Sequence, residues 1–266
     1  HPNALLQGLD DLKKRNIHFD HLLMDCNSII YDACIDYEKT QSLQDETVFE
    51  QGLCDFVISK IEQFITMISP KKSVFIAFDG VAPKSKMLQQ RTRRYKSYFL
   101  SNIQKHKKTQ WNTAKITPGT LFMQLLSNKI NNHFGDSNIR PYKLFASASD
   151  KVGEGEQKLF HYIRNHSMKK DNILVYGLDA DLLMLGLCHV HHCSNLFVFR
   201  ETPSFGTLTL HIKSPYVYLD MKILGDCISQ EMLVNHTNDI NDEKSNQLLY
   251  DYILICFFLG NDFLPH

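Results

Sequence analysis

Between Gly80 and Gly135 the chain has no aspartate and no glutamate. That gap excludes internal neutralisation of the cations it contains: Lys84, Lys86, Arg91, Arg93, Arg94, Lys96, Lys105, Lys107, Lys108, Lys115 and Lys129. The whole chain is nevertheless neutral, with 29 basic and 29 acidic residues, so the acids are concentrated elsewhere. Such a division suits a protein that holds a polyanion on one segment and keeps carboxylates for another task. The plainer alternative is a solvated basic helix, but so long a span without acids favours the first.

Other absences narrow the classes further. The seven cysteines are odd in number, scattered, and include no CxxC pair. They are expected to be reduced thiols in a reducing compartment. No apolar run reaches membrane-spanning length, and no stretch at the start reads as a secretion signal. No Walker motif, nucleophilic-serine elbow or HExxH is present, and Gly153-x-Gly155 lacks the third glycine of a nucleotide fingerprint. The cluster Cys188-His-Val-His-His-Cys193 matches no ordinary zinc spacing and is taken as a loop between a helix and a strand. With 266 residues, 43% of them hydrophobic, the chain can bury a full α/β core.

What is there is organised around residues 172–187. An apolar run from Ile173 to Tyr176 predicts a buried strand, Gly177 follows, and Asp179 and Asp181 precede a second apolar run that predicts a helix. Open α/β sheets place their sites at such strand ends. The same pattern recurs. Residues 19–27 predict a strand ending in Asp25 and Asn27, and Ser73–Gly80 a strand ending in Asp79. Glu154 and Glu156 open a helix reaching about 165 after a strand at 139–145, and Asp262 follows an apolar helix. Further helices are expected at 3–16, 45–68, 85–107, from Thr117-Pro118 to about 134, at 220–233 and at 248–260, with short strands over 195–219. Alternating strands and helices predict an α/β fold with a mostly parallel central sheet covered by helices on both faces.

In a parallel sheet the carboxyl ends point one way, so Asp25, Asp79, Glu154, Glu156, Asp179, Asp181 and Asp262 are expected to converge. Any one of them alone is more simply a helix cap or a solvated loop residue. Together they call for cations. Carboxylates are the ligands of Mg²⁺ and Mn²⁺, and two ions about 4 Å apart are the usual arrangement for phosphodiester hydrolysis. Lys86, Gln90, Arg93 and Arg94 share one helical face and form a receptor for a phosphate. Tyr95, Tyr98, Phe99 and Trp111 interleave the cations as candidates for stacking on bases.

At these residues the chain resembles the amino-terminal nuclease region of the 5′→3′ exoribonucleases called Xrn. The resemblance is carried by Leu23–Tyr31, Phe78–Met87, Gln89–Tyr95, Ile116–Met123, Gly153–Lys158, Tyr176–Gly186, Arg200-Glu201 and Cys256–His266, in order along the chain. It implies a PIN/flap-nuclease-like fold over 1–266, with the basic helical segment over the active site and Mg²⁺ (or Mn²⁺) on the seven acids. It implies stepwise release of mononucleotides from single-stranded RNA with a 5′ monophosphate, held by Lys86, Gln90, Arg93 and Arg94. Tyr31 stands where the family has a histidine that stacks on the first base. The family's opening motif is missing before His1, and its members continue past the closing Gly-Asn-Asp-Phe-Leu-Pro-His, which implies a fragment cut at both ends. The rival functions are a structure-specific flap endonuclease and a non-catalytic RNA-binding scaffold. The cytoplasm is the default compartment, with the nucleus as the alternative.

Overall fold

The computed structural model describes residues 4–41, 45–103, 111–135, 140–177, 179–193, 195–202, 214–233 and 242–259. The chain is α/β and divides into two compact units, one of residues 1–23 with 160–266 and one of residues 24–159. Its elements in chain order are β1 (Leu5–Gln7), α1 (Gly8–Lys14), β2 (His21–Asp25), α2 (Asn27–Thr40), α3 (Glu46–Ile68), β3 (Ser73–Ala77), α4 (Lys84–Ile103), α5 (Leu121–Phe134) and β4 (Lys143–Ser147). They continue as α6 (Gly155–Asn165), β5 (Asn172–Tyr176), α7 (Ala180–His189), β6 (Asn195–Glu201), β7 (Tyr216–Asp220), α8 (Met221–Met232) and α9 (Asp242–Phe258).

In the unit of residues 24–159, β3 and β4 pair in parallel from Ser73↔Lys143 to Ala77↔Ser147. β4 begins after Pro141, which has no N–H to give a ladder, and Ile139, where the strand was expected to start, lies outside the described residues. Helix α3 starts where Asp45 accepts from the N–H groups of Thr47 and Val48, at 2.8 and 3.2 Å. It stops at Ser69, in the left-handed region at φ 51°, just before Pro70. Its buried stripe includes Leu53, Val57, Ile61 and Ile65, the spacing of one helix face. Helix α2, to which the sequence pattern assigned nothing, buries Ile29, Ile30, Ala33 and Cys34. Helix α5 begins three residues later than expected. The cap is Thr120, whose hydroxyl accepts from Met123 N–H at 3.3 Å, while Thr117 and Pro118 lie in the preceding turn.

In the other unit, β5 and β6 pair in parallel, β6 and β7 antiparallel, and β7 and β1 antiparallel. Antiparallel pairing thus involves β7, which has β6 on one side and β1 on the other. A helix over 3–16 was expected. Instead Leu5–Gln7 joins the sheet against Val217–Leu219, and Gly8, at φ +81°, turns the chain into α1. Short strands over 195–219 are found as β6 and β7, with 203–213 outside the described residues. Helix α9 starts six residues before the expected 248. The core here is aromatic: Phe19 packs edge-on against Phe197 at 5.5 Å, and Phe199 stacks on Tyr218 at 5.4 Å.

The Cys188–Cys193 segment is not all loop, since its first two residues, Cys188 and His189, complete α7. His189 is buried, its Nδ1 lies 2.6 Å from Leu185 O, and its Nε2 lies 2.9 Å from the Arg164 guanidinium. A carbonyl only accepts and a guanidinium only donates, so the ring is neutral with its proton on Nδ1. Burial pushes its pKa below the ordinary value, the hydrogen bond to Leu185 opposes this, and the charges of Arg164 and His192 lower it further. The unfolded chain therefore takes up the proton first as pH falls below about 6.5. The stabilisation is complete above that value and is lost as pH falls toward the lowered folded pKa. Urea melts at pH 7.5 and 5.5 are expected to show a larger loss for the native chain than for His189→Asn.

Candidate active site

Asp79 is held at its N–H and at one carboxylate oxygen by residues of its own unit. Phe78, just before it, donates its N–H to Ser147 O at 2.9 Å and gives its carbonyl to Lys158 Nζ at 2.7 Å. The N–H of Asp79 donates to Asn27 Oδ1 at 3.1 Å, and Asp79 Oδ1 accepts from Gly155 N–H at 2.7 Å. Gly155 is the first residue of α6, so this N–H is one a helix cannot satisfy itself, at the end where its dipole favours an anion. Asp25 lies against the same residue. A Cβ on Gly155 would sit 2.5 Å from Asp25 Oδ1. The expected meeting of β2, β3 and the start of α6 thus takes place around one glycine. Gly155→Ala is expected to push Asp25 aside and weaken Mn²⁺ binding about tenfold, measured by calorimetry, with secondary structure unchanged by circular dichroism.

Glu154 and Glu156 flank Gly155 and are 7% exposed each. Two carboxylates so placed need a cation, and α4 supplies one. Lys86 Nζ lies 2.7 Å from Glu154 Oε1 and 4.0 Å from Glu156 Oε1. Behind the acids, Lys158 also donates to Ala148 O at 3.2 Å. Burial pushes its pKa down to about 8, against the pull of Asp79, Asp150 and Asp25. Lys158 and Asn27 were not among the expected site residues. The signal for Lys158 was its place one helical turn after Glu154, which puts it on the same face.

The donor set fits a hard divalent ion. Its oxygens are all carboxylate, and the Lys86 ammonium shows that Glu154 and Glu156 can share one cation. Among the described residues no three His, Cys, Asp or Glu side chains form a group able to hold a metal ion.

The remaining expected residues divide as follows. Asp179 and Asp181 belong to the other unit and are exposed. Asp179 occupies the N-cap position of α7, yet its side chain makes no capping hydrogen bond, so the cap does not account for its carboxylate. Asp262 lies outside the described residues. On α4, Gln90 is half-buried and Arg93 and Arg94 are exposed. Both arginines act on the exposed Tyr31 phenol, whose pKa partial burial raises, Arg93 and Arg94 lower and Asp79 raises. Tyr95 and Phe99 are exposed, at 66% and 65%, as base-stacking requires. The side chain of Tyr98 is outside the described set.

Trp111 is not a stacking residue. It is 1% exposed, meets Phe122 edge-on at 4.7 Å, and donates its N–H to Glu38 at 2.6 Å and its Nε1–H to Glu50 at 3.2 Å. Lys115 closes the cluster on Glu50 and Glu46, at 2.6 and 2.9 Å. A tryptophan whose polar handle finds a carboxylate gains more from the core than from solvent.

A family model described as XRN 5′-3′ exonuclease N-terminus matches residues 1–202. The chain belongs to this family. Its relatives include 5′-3′ exoribonuclease 1 of Saccharomyces cerevisiae, 33% identical over 278 residues, which covers 93% of this chain and 18% of the yeast protein. The human 5′-3′ exoribonuclease 1 is 30% identical over 276 residues, covering 93% of this chain and 16% of the human one. The 5′-3′ exoribonuclease 2 of Arabidopsis thaliana is 30% identical over 310 residues, covering 93% and 30%. The chain therefore spans less than a third of the length of these relatives. The PIN-like α/β fold expected from the resemblance is the fold of this family's amino-terminal region, and nucleases of this family are metal-dependent.

Proposed function

We propose that this chain is the catalytic region of a 5′→3′ exoribonuclease that degrades single-stranded RNA bearing a 5′ monophosphate, in RNA decay. The observation that carries the proposal is the carboxylate group around Gly155, joined to the cationic helix α4 through Lys86. Asp25, Asp79, Glu154 and Glu156 would hold Mg²⁺, for which Mn²⁺ can substitute. The resemblance assigns Asp179, Asp181 and Asp262 the same role. Two divalent ions bound there would supply the chemistry, one lowering the pKa of the attacking water and the other stabilising the leaving oxygen.

The chain's own residues do the rest. Arg93 and Arg94 grip the leading phosphate bidentately with Gln90 and Lys86, and Tyr31 stacks on the first base. A receptor sized for one phosphate excludes bulkier ends by sterics and charge. No helix among the described residues is long and apolar enough to cross a membrane. The seven free thiols suit work in the cytoplasm, which localisation of a fluorescent fusion tests against the nucleus.

The decisive comparison uses three RNAs of one sequence with 5′ monophosphate, 5′ hydroxyl and 5′ triphosphate ends. The monophosphate is expected to decay fastest. Equal decay removes the role given to Lys86, Gln90, Arg93 and Arg94. Internal cuts in branched DNA point to a flap endonuclease, and RNA binding without cleavage to a scaffold.

A further inference from the structure

The sequence assigns Lys86 to the phosphate and Glu154 to the metal, yet the structure pairs the two at 2.7 Å. We propose that Lys86 is an exchangeable counter-cation, displaced from Glu154 and Glu156 by the divalent ion and thereby released to the 5′ phosphate. The proposal rests on the metal and phosphate roles given above and adds a coupling between them.

The two occupancies exclude each other. A divalent ion sits about 2.0–2.1 Å from a carboxylate oxygen if it is Mg²⁺. An ammonium retained at 2.7 Å from the same oxygen would place two cations a few ångströms apart, where repulsion in a poorly solvated site is severe. Both glutamates are buried, so loss of the ammonium is costly and an incoming divalent ion offsets that cost. Conversely, an ammonium neutralised by two carboxylates brings little charge to a phosphate.

The residue type and its position suit exchange. Lysine is a compact charge on a flexible four-carbon stem, whereas arginine would lock on bidentately. Lys86 lies in the first turn of α4, rooted where Met87 N–H donates to Pro83 O at 3.0 Å. Its stem can therefore swing while the helix stays. Arg93 and Arg94, two turns on, are exposed and close enough to Tyr31 for their charges to lower its pKa. Before metal entry the proposed receptor would be without its third cation, Lys86, which is held by Glu154. By linkage, the divalent ion and the phosphorylated end tighten each other's binding, so a strand is gripped more tightly by its leading phosphate when the acids are loaded.

The test needs no turnover. Lysine acetylation by a succinimidyl ester, followed by mass spectrometry, reports exposure of the Lys86 amine, with the exposed Lys84 as internal reference. Saturating Mn²⁺ is expected to raise Lys86 labelling several-fold relative to Lys84. Mn²⁺ binding with unchanged Lys86 labelling overturns the exchange. Calorimetry provides the second arm. Lys86→Gln is expected to bind Mn²⁺ on the order of tenfold tighter, because a charged hydrogen bond no longer competes. Equal or weaker binding by Lys86→Gln overturns the exchange while leaving the metal site standing. Failure of both proteins to bind Mn²⁺ overturns the metal assignment itself.

Discussion

Asp79→Asn is expected to cut hydrolysis of 5′-monophosphate RNA by more than about a hundredfold while leaving the fold intact. The size follows from the role. Losing a partner that merely orients a metal ligand costs about 10–100-fold, and a ligand should cost more. The selectivity follows from the geometry. Asparagine keeps an Oδ1 able to accept from Gly155 N–H, a bond of 2.7 Å in the native chain. The backbone bond from Asp79 N–H to Asn27 is untouched. What disappears is the negative charge, so the change in unfolding free energy is expected to stay within about 1 kcal/mol. A urea melt and a single-turnover assay on the same preparation check both halves. Native-like turnover by Asp79→Asn would remove Asp79 from the metal set.

Arg93→Ala is expected to reduce the preference for a 5′ monophosphate over a 5′ hydroxyl by roughly 10- to 150-fold. That is the ratio equivalent of a charged hydrogen bond worth about 1.5–3 kcal/mol. Arg93 is exposed, so truncation leaves no cavity and the helix gains an alanine. The change acts through the end group: decay of the 5′-hydroxyl RNA is expected to stay near the native rate while that of the 5′-monophosphate RNA falls toward it. Competition between the two RNAs in one tube measures the ratio directly. A uniform loss on both ends would mean that Arg93 holds the strand along its backbone rather than by its leading phosphate. It would also show in the salt dependence of binding.

These expectations use parts of the molecule that the residue pattern revealed. The runs before Asp25, Asp79 and Asp179 are short, apolar and end in a carboxylate, and each is a strand because burial on both faces selects that composition. The acids at their ends were therefore legible as strand-end acids. Partners of side chains were not. That Lys86 meets Glu154, or that Lys158 reaches the Phe78 carbonyl, depends on how two distant segments pack, and no local pattern encodes it. Trp111 misled because it sits among cations in sequence, while its partners Glu38, Glu50 and Phe122 come from 73, 61 and 11 residues away. At the start of the chain, apolar residues spaced for a helix were overruled. Pairing with β7 satisfies the backbone of Leu5–Gln7, and the helix starts only at Gly8, where the chain turns at φ +81°. The start of α9 was missed because residues 242–247 are polar, and only the later apolar run signalled a helix.

On the function proposed here, the carboxylates around Gly155 would hold divalent ions beside a cationic helix that reads the end of a strand. It is tested most directly by following RNA labelled at its 5′ end while Mg²⁺ is titrated into metal-free protein. The account predicts that the label leaves first and as a mononucleotide, at a rate that rises with Mg²⁺ and vanishes with EDTA. Label released first in longer fragments, or at a rate indifferent to the ion, would contradict it.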